Sequence, residues 1–145
     1  MNHPLQPLLH RHLAAENAHD LPGTLATLHP DCLFEDVATG QTWHGHAGAA
    51  AHYLHWWNAF GVTVSREAQD RSFWCEDGSC VSQATFSGRH VGDFFGLAPT
   101  GRDISFRFAV FIGFRDGLML SERFYYDLAG LTRQLGATGL PALAA

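Results

Sequence analysis

One segment near the C-terminus, residues 102–114 (RDISFRFAVFIGF), constrains the chain more than any other. Its length and its β-branched and aromatic content read as a single long strand. By alternation Ile104, Phe106, Phe108, Val110 and Ile112 fall on one face, and Ser105, Arg107, Ala109 and Phe111 on the other. Both faces are largely apolar, so both need cover. One is expected to pack on helices or line a cavity. The other is expected to meet a second copy of the chain, in a homodimer burying at least about 1,000 Å².

The rest of the chain supplies the helices. Leu5, Leu8, Leu9, Leu13 and Ala14 recur at helical spacing, and Asp20-Leu21-Pro22-Gly23 breaks the run. A short helix is expected over 24–28 and a first strand over 32–37. A third helix covers 47–60, with Ala49, Tyr53, Trp56 and Phe60 on one face and Gly61 as its stop. From Val62 the period changes to two. Strands are expected over 62–69, 71–75, 80–91, 102–114 and 118–126, with hairpin turns at Asp77-Gly78 and Arg115-Asp116-Gly117. A helix over 128–135 closes the fold. Helices followed by an antiparallel meander give an α+β class. At 145 residues, 46% hydrophobic and 16% charged, the chain fits one domain over 1–136, with a loose tail over 137–145.

Composition excludes several chemistries. The net charge of −5 and a pI near 6.0 argue against nucleic acid as a partner. All nine basic residues are Arg, so no lysine is present to form a Schiff base, anchor pyridoxal phosphate or cradle a nucleotide phosphate. No stretch of about 18 uncharged apolar residues suggests a membrane span. The N-terminus has no secretory pattern, and a cytoplasmic protein is expected. The three cysteines lack metal spacing; Cys75 and Cys80 flank a turn and read as reduced thiols. His10 with His12 and His44 with His46 form His-x-His pairs, but no Cys or carboxylate completes either, so no metal is expected. His52 and His55 fall off the apolar face of the third helix and read as solvated.

Two stretches carry a resemblance. In TFSGRHVGDFFGLAPTGRDISF (85–106), a Gly-x-His-x-Gly-x-Phe-x-Gly pattern runs through Gly88, His90, Gly92, Phe94 and Gly96, followed by Pro99-Thr100-Gly101-Arg102. In FRDGLMLSERFYYDLAGLTRQLG (114–136), Glu122, Arg123, Tyr125 and Asp127 precede Arg133-Gln134-Leu135-Gly136. Together they resemble the SnoaL-like polyketide cyclase family of the nuclear transport factor 2-like superfamily. The resemblance implies a conical barrel, with N-terminal helices packed in a strongly curved, mainly antiparallel sheet (also described as cystatin-like) around an apolar pocket. It implies ring closure by intramolecular aldol condensation, without metal or cofactor. It places the acid–base carboxylate on Asp127 and a histidine on the preceding strand near 109–111, where this chain has Ala109, Val110 and Phe111.

Each candidate also has a structural reading. Asp127 is a carboxylate at the mouth of the pocket or the N-cap of the last helix. Asp36 points into the pocket or ends a strand at a turn, and it would pair with Asp127 as acid and base if the two converge. His90 sits on the pocket rim or holds the glycine-rich loop. Arg107, Arg123 and Tyr125 bind substrate oxygens or form ion pairs on the sheet face. Trp56, Phe95, Phe106 and Phe108 line an aromatic pocket or fill the core. The leading expectation is a cofactor-free acid–base enzyme acting on a small apolar molecule that bears a carbonyl or an ester. The alternative is a non-catalytic binding or oligomerisation domain on the same fold. A pocket filled by rings, or an Asp127 turned to solvent, favours the alternative.

Overall fold

In a computed structural model, which describes residues 2–143, the first apolar run forms α1 (Gln6–Asn17). Pro7 lies in its first turn, where a missing N–H costs nothing, and His3 Nδ1 accepts from the Leu5 amide at 3.2 Å. The far end is tied to the sheet. The Asn17 side chain donates to Val64 O at 2.8 Å and accepts from Val64 N at 2.7 Å. The second helix, α2 (Leu21–Leu25), begins before the expected 24–28. Asp20, read as a breaker, is its N-cap and accepts from Gly23 N, with Pro22 in the first turn.

Strand β1 (Leu28–Asp36) also starts early, because Leu28 already pairs with Met119. A register shift between Leu28 and Leu33 absorbs the His29-Pro30 step, as a proline within a sheet requires. A short strand absent from the sequence reading, β2 (Gln41–His44), pairs antiparallel with β1. Helix α3 (Gly45–Phe60) buries Ala49, Tyr53, Trp56 and Phe60 as expected. It also buries His52, and His55 is half-buried against the Phe94 and Phe95 rings, so the solvated reading of both histidines is corrected. The helix has too little polar surface left to expose them: Trp57 and Ala59 widen its buried face.

Beyond α3 come β3 (Thr63–Ser65), β4 (Ser72–Trp74), β5 (Cys80–Arg89), β6 (Asp103–Arg115), β7 (Leu118–Tyr126) and α4 (Leu128–Gln134). The first two are shorter than expected. A turn closed by the Asp70 carboxylate, which accepts from Glu67 N at 2.7 Å, separates them. The strands form one open, curved sheet in the order β2-β1-β7-β6-β5-β3, with β4 also on β5. Every pairing is antiparallel except β1 with β7. The division of the long strand holds. Ile104, Phe106, Phe108, Val110 and Ile112 are buried against the helices, whereas Phe111 on the convex face is exposed and meets the exposed Tyr125 ring edge-on at 5.6 Å. The described part of the tail is not loose: Leu140 is buried and Ala142 N donates to Phe95 O at 2.8 Å. Among the described residues no helix is long and apolar enough to cross a membrane.

Candidate active site

Helix α1 lies across the concave face of β5, β6 and β7 and leaves a cavity of about 370 Å³ between them. Leu9, Leu13, Phe86, Phe108, Val110 and Phe124 make its apolar walls. The inward stripe of α1 runs from buried Leu8 and His12 on to half-buried Glu16, one helical turn apart each time, so two polar side chains meet the apolar walls. Across from them, Glu122, Phe124 and Tyr126 alternate inward on β7, which brings a third.

These groups converge. His12 Nε2 lies 3.5 Å from Glu16 Oε2, 3.5 Å from Glu122 Oε1 and 3.1 Å from the Tyr53 hydroxyl of α3. The other ring nitrogen, Nδ1, is 2.8 Å from Thr27 Oγ1. That hydroxyl spends its one proton on Thr24 O at 2.6 Å, so it can only accept from His12. Nδ1 therefore carries the proton, and Nε2 presents a lone pair to Tyr53 and to the two carboxyl groups. Tyr53 is also within hydrogen-bonding reach of Glu122. With Tyr53 donating to Nε2, its oxygen is left as the acceptor for a neutral Glu122.

Burial sets the protonation states. Desolvation lowers the His12 pKa to about 4, so the imidazole is neutral at pH 7. Its 3.5 Å approaches to the two glutamates are hence not ion pairs. Desolvation raises Glu16 to about 7, and raises Glu122 well above the carboxylate range, with the nearby Glu16 charge adding to the effect. Burial beside Glu122 also raises Tyr53 and keeps it a phenol. The cavity wall therefore holds a protonated carboxylic acid next to a carboxyl group that ionises near neutrality. One can donate a hydrogen bond to an oxygen while the other accepts a proton.

The residues singled out from the sequence are mostly elsewhere. Asp127 is the N-cap of α4: Oδ1 accepts from Gly130 N at 2.8 Å, Oδ2 lies 3.7 Å from Arg133, and the side chain is 68% exposed. Of its two readings, the cap is the one observed, and it does not line the cavity. Asp36 is only 2% exposed, but it too stands outside the cavity, accepting from Tyr126 Oη at 2.8 Å and Thr39 N at 3.0 Å. Asp36 and Asp127 are thus held by different partners, and neither lines the cavity. His90 is buried with Nδ1 accepting from Thr100 N at 3.1 Å, and its ring packs on Phe60. A Cβ on Gly88 or Gly92 would collide with the backbone of Phe60 or Asn58. The Gly-x-His-x-Gly pattern thus seats the C-terminal turn of α3 against the loop, and Val91 N and Gly92 N both donate to Ala59 O.

Arg107, Arg123 and Tyr125 lie on the convex face. Arg107 donates to Asp70 at 2.8 Å and Arg123 Nε lies 3.4 Å from Glu35, so both arginines form ion pairs on the sheet face. Trp56, Phe95 and Phe106 fill the core behind the cavity wall, where Trp56 stacks on the wall residue Phe86. Of the ten candidates only Phe108 lines the cavity. The residues missed are Glu16, Tyr53, Glu122 and His12 (the last weighed only as half of a metal pair). The available signal was a His and a Glu at successive turns of an apolar helical stripe, facing a Glu in phase with the inward aromatics of β7.

The family model for SnoaL-like polyketide cyclases matches residues 7–135. Among solved structures, the protein TsrD from Streptomyces laurentii is 29% identical with a TM-score of 0.77, over 94% of this chain and 98% of that one. A protein from Jannaschia sp. CCS1, assigned provisionally as a SnoaL-like polyketide cyclase, is 20% identical with a TM-score of 0.80, over 96% and 99%. A protein of ketosteroid isomerase-like fold from Catenulispora acidiphila, crystallised with trimethylamine, is 16% identical with a TM-score of 0.74, over 91% and 94%. A comparison with curated proteins finds no match. The open curved sheet around its helices is the nuclear transport factor 2-like fold, and with nearly the whole chain matched by the family model, this protein belongs to the SnoaL-like polyketide cyclase family.

Proposed function

We propose that the protein is a cofactor-free acid–base enzyme that forms an enolate from a small apolar carbonyl compound in the cavity under α1. The observation that carries this reading is the meeting of Glu16, Glu122 and Tyr53 around the neutral Nε2 of His12, at the wall of an apolar cavity. Glu16, ionising near neutrality, takes the proton from the carbon next to the carbonyl. Glu122, held protonated, turns its one O–H from the Tyr53 oxygen to the carbonyl oxygen as negative charge develops there. His12 and Tyr53 orient the two carboxyl groups, and Thr27 fixes the imidazole tautomer. The enolate then regains a proton at carbon, or attacks a second carbonyl of the same molecule, whose oxygen takes the proton. Ring closure and isomerisation differ only in that last step. A volume near 370 Å³ suits a ligand of two or three rings.

Binding without turnover is the second reading. It is favoured by Asp127 facing solvent and by the rings that fill the core around Trp56. The experiment that separates the two is hydrogen exchange in heavy water. With 1-tetralone as the probe, proton NMR is expected to show deuterium entering at C2 faster than in buffer. Glu122→Gln and Glu16→Gln are each expected to slow that exchange by roughly two to four orders of magnitude. Exchange at the buffer rate with a probe that demonstrably binds supports the binding reading.

A further inference from the structure

We propose that the ligand of this cavity is an apolar, ring-bearing monoanion whose carboxylate is held at the mouth by Arg66, while its reacting carbonyl lies deep beside Glu122. The proposal rests on the reading of the cavity as the active site and adds the class of molecule that fits it.

The argument begins with the charges on the cavity lining. His12 is neutral and Glu122 is protonated, so the inner wall carries no cation. Glu16 becomes an anion near pH 7, and a second anion placed against it would be repelled. An acidic group on the ligand is thus unwelcome in the depth and needs a partner elsewhere. Arg66 and His10 are the exposed basic side chains on the lining, and Arg66 is its permanent cation. Five other arginines are already engaged, Arg89 with Asp103, Arg107 with Asp70, Arg115 with Asp31, Arg123 with Glu35 and Arg133 with Asp127. Arg66 has no ion-pair partner among the described residues. Its charge is felt both at the thiol of Cys80, a buried residue of the cavity wall, and at the Asp70 carboxylate that Arg107 already pairs. Beside it the rim offers the mutually hydrogen-bonded hydroxyls of Ser72 and Ser82, with one proton left to donate, and the flat ring of Trp74, itself stacked on His3. The rim therefore has a cation without an ion-pair partner and a hydroxyl donor, and the depth has a proton donor and a proton acceptor. A molecule with an anionic end and a carbonyl end, joined by rings, matches both.

The test compares two probes of one shape, anthraquinone-2-carboxylate and its methyl ester, by quenching of tryptophan fluorescence at pH 8 and low salt. The parent protein is expected to bind the carboxylate about tenfold more tightly than the ester, a preference that shrinks as salt is added. Arg66→Gln is expected to reduce carboxylate affinity to that of the ester, and Arg66→Lys to retain part of the preference. Equal affinities in the parent, or a preference that survives in Arg66→Gln, would overturn the proposal. Equal affinities alongside Glu122-dependent exchange would overturn it while leaving the acid–base reading intact. Failure of both probes to bind would remove the cavity as a ligand site, and both readings with it.

Discussion

Two buried carboxyl groups sit on neighbouring strands, two register positions apart. In the parallel pairing of β1 with β7, Phe34 stands opposite Glu122 and Asp36 opposite Phe124. Asp36 is 2% exposed and Glu122 is 6% exposed, and each has a tyrosine beside it. Their surroundings differ. Asp36 has a donor on each oxygen, Tyr126 Oη on one and Thr39 N on the other, and Gly40 N donates to its main-chain oxygen. It ties the β1–β2 turn to the end of β7, and it does not line the cavity under α1. Glu122 faces open volume, with a second carboxyl group and an imidazole lone pair for neighbours. Burial alone therefore does not mark a reactive carboxyl group. A buried acid whose oxygens are both satisfied by donors is a fastener. One left beside a like charge at the edge of a cavity is held neutral and can move a proton.

The largest effect expected from this contrast is on turnover. Glu122→Gln keeps the shape and removes the exchangeable acid, so α-carbon exchange should fall by roughly two to four orders of magnitude with little change in melting temperature. Asp36→Asn should leave exchange within a few-fold of the parent rate. The comparison breaks if Asp36→Asn abolishes exchange in a protein that still melts like the parent.

The second effect is on stability against pH. The pKa of Glu16 is about 7 in the folded protein against an ordinary value of 4.5, so the native state binds more protons over that interval. Its contribution is fully present below pH 4.5 and is lost as pH rises through 7, by roughly 3 kcal/mol at most. His12 acts in the opposite sense: with its pKa lowered from 6.5 to about 4, stability is lost as pH falls across that range. The two overlap, so the difference between variant and parent is the clean measurement. The melting temperature of Glu16→Gln relative to the parent should climb between pH 4.5 and 7 and level off above. A difference that does not vary with pH would show that Glu16 ionises as it does in the unfolded chain.

A smaller effect follows at the fastening carboxylate. Asp36→Ala strands the Tyr126 hydroxyl and the Thr39 amide without an acceptor, a loss of about 2 kcal/mol. Chemical denaturation should register it as a lower midpoint with an unchanged slope. A midpoint equal to that of the parent would mean that Asp36 does not hold the turn.

The fold was legible because its signals are periodic. The alternation in β6, the Asp77-Gly78 turn and the 4-3-4 spacing of Ala49, Tyr53, Trp56 and Phe60 each report one local rule, and each appears in the structure. The elements misjudged depend on partners distant in sequence. Strand β1 begins early because Met119 awaits Leu28, and β2 exists because β1 offers an edge. The site was less legible for the same reason. His12 and Glu122 are 110 positions apart, and only the packing of α1 across β7 makes them neighbours. What the local pattern did contain was a polar residue in an apolar phase, at His12 and Glu16 on the helix and at Glu122 on the strand. The acidic residues that drew attention, Asp36 and Asp127, stand at element ends. There a carboxylate has backbone amides to cap, and the sequence signal for a cap and for a proton carrier is the same.

That ambiguity makes Asp127 the site of the smallest and most discriminating effect. As the α4 N-cap it accepts from Gly130 N, and Arg133 lies 3.7 Å from its other oxygen in a solvated pair that adds little. Asn caps a helix about as well as Asp, whereas Ala loses about 1 kcal/mol. Asp127→Asn should therefore melt with the parent and exchange tetralone protons at close to the parent rate. Asp127→Ala should melt a few degrees lower and, once folded, also retain exchange. A fall of two or more orders of magnitude in Asp127→Asn, with its melting temperature intact, would move the proton carrier from the cavity wall to the helix cap. The contrast drawn between satisfied and unsatisfied carboxyl groups would then fail at its most exposed member.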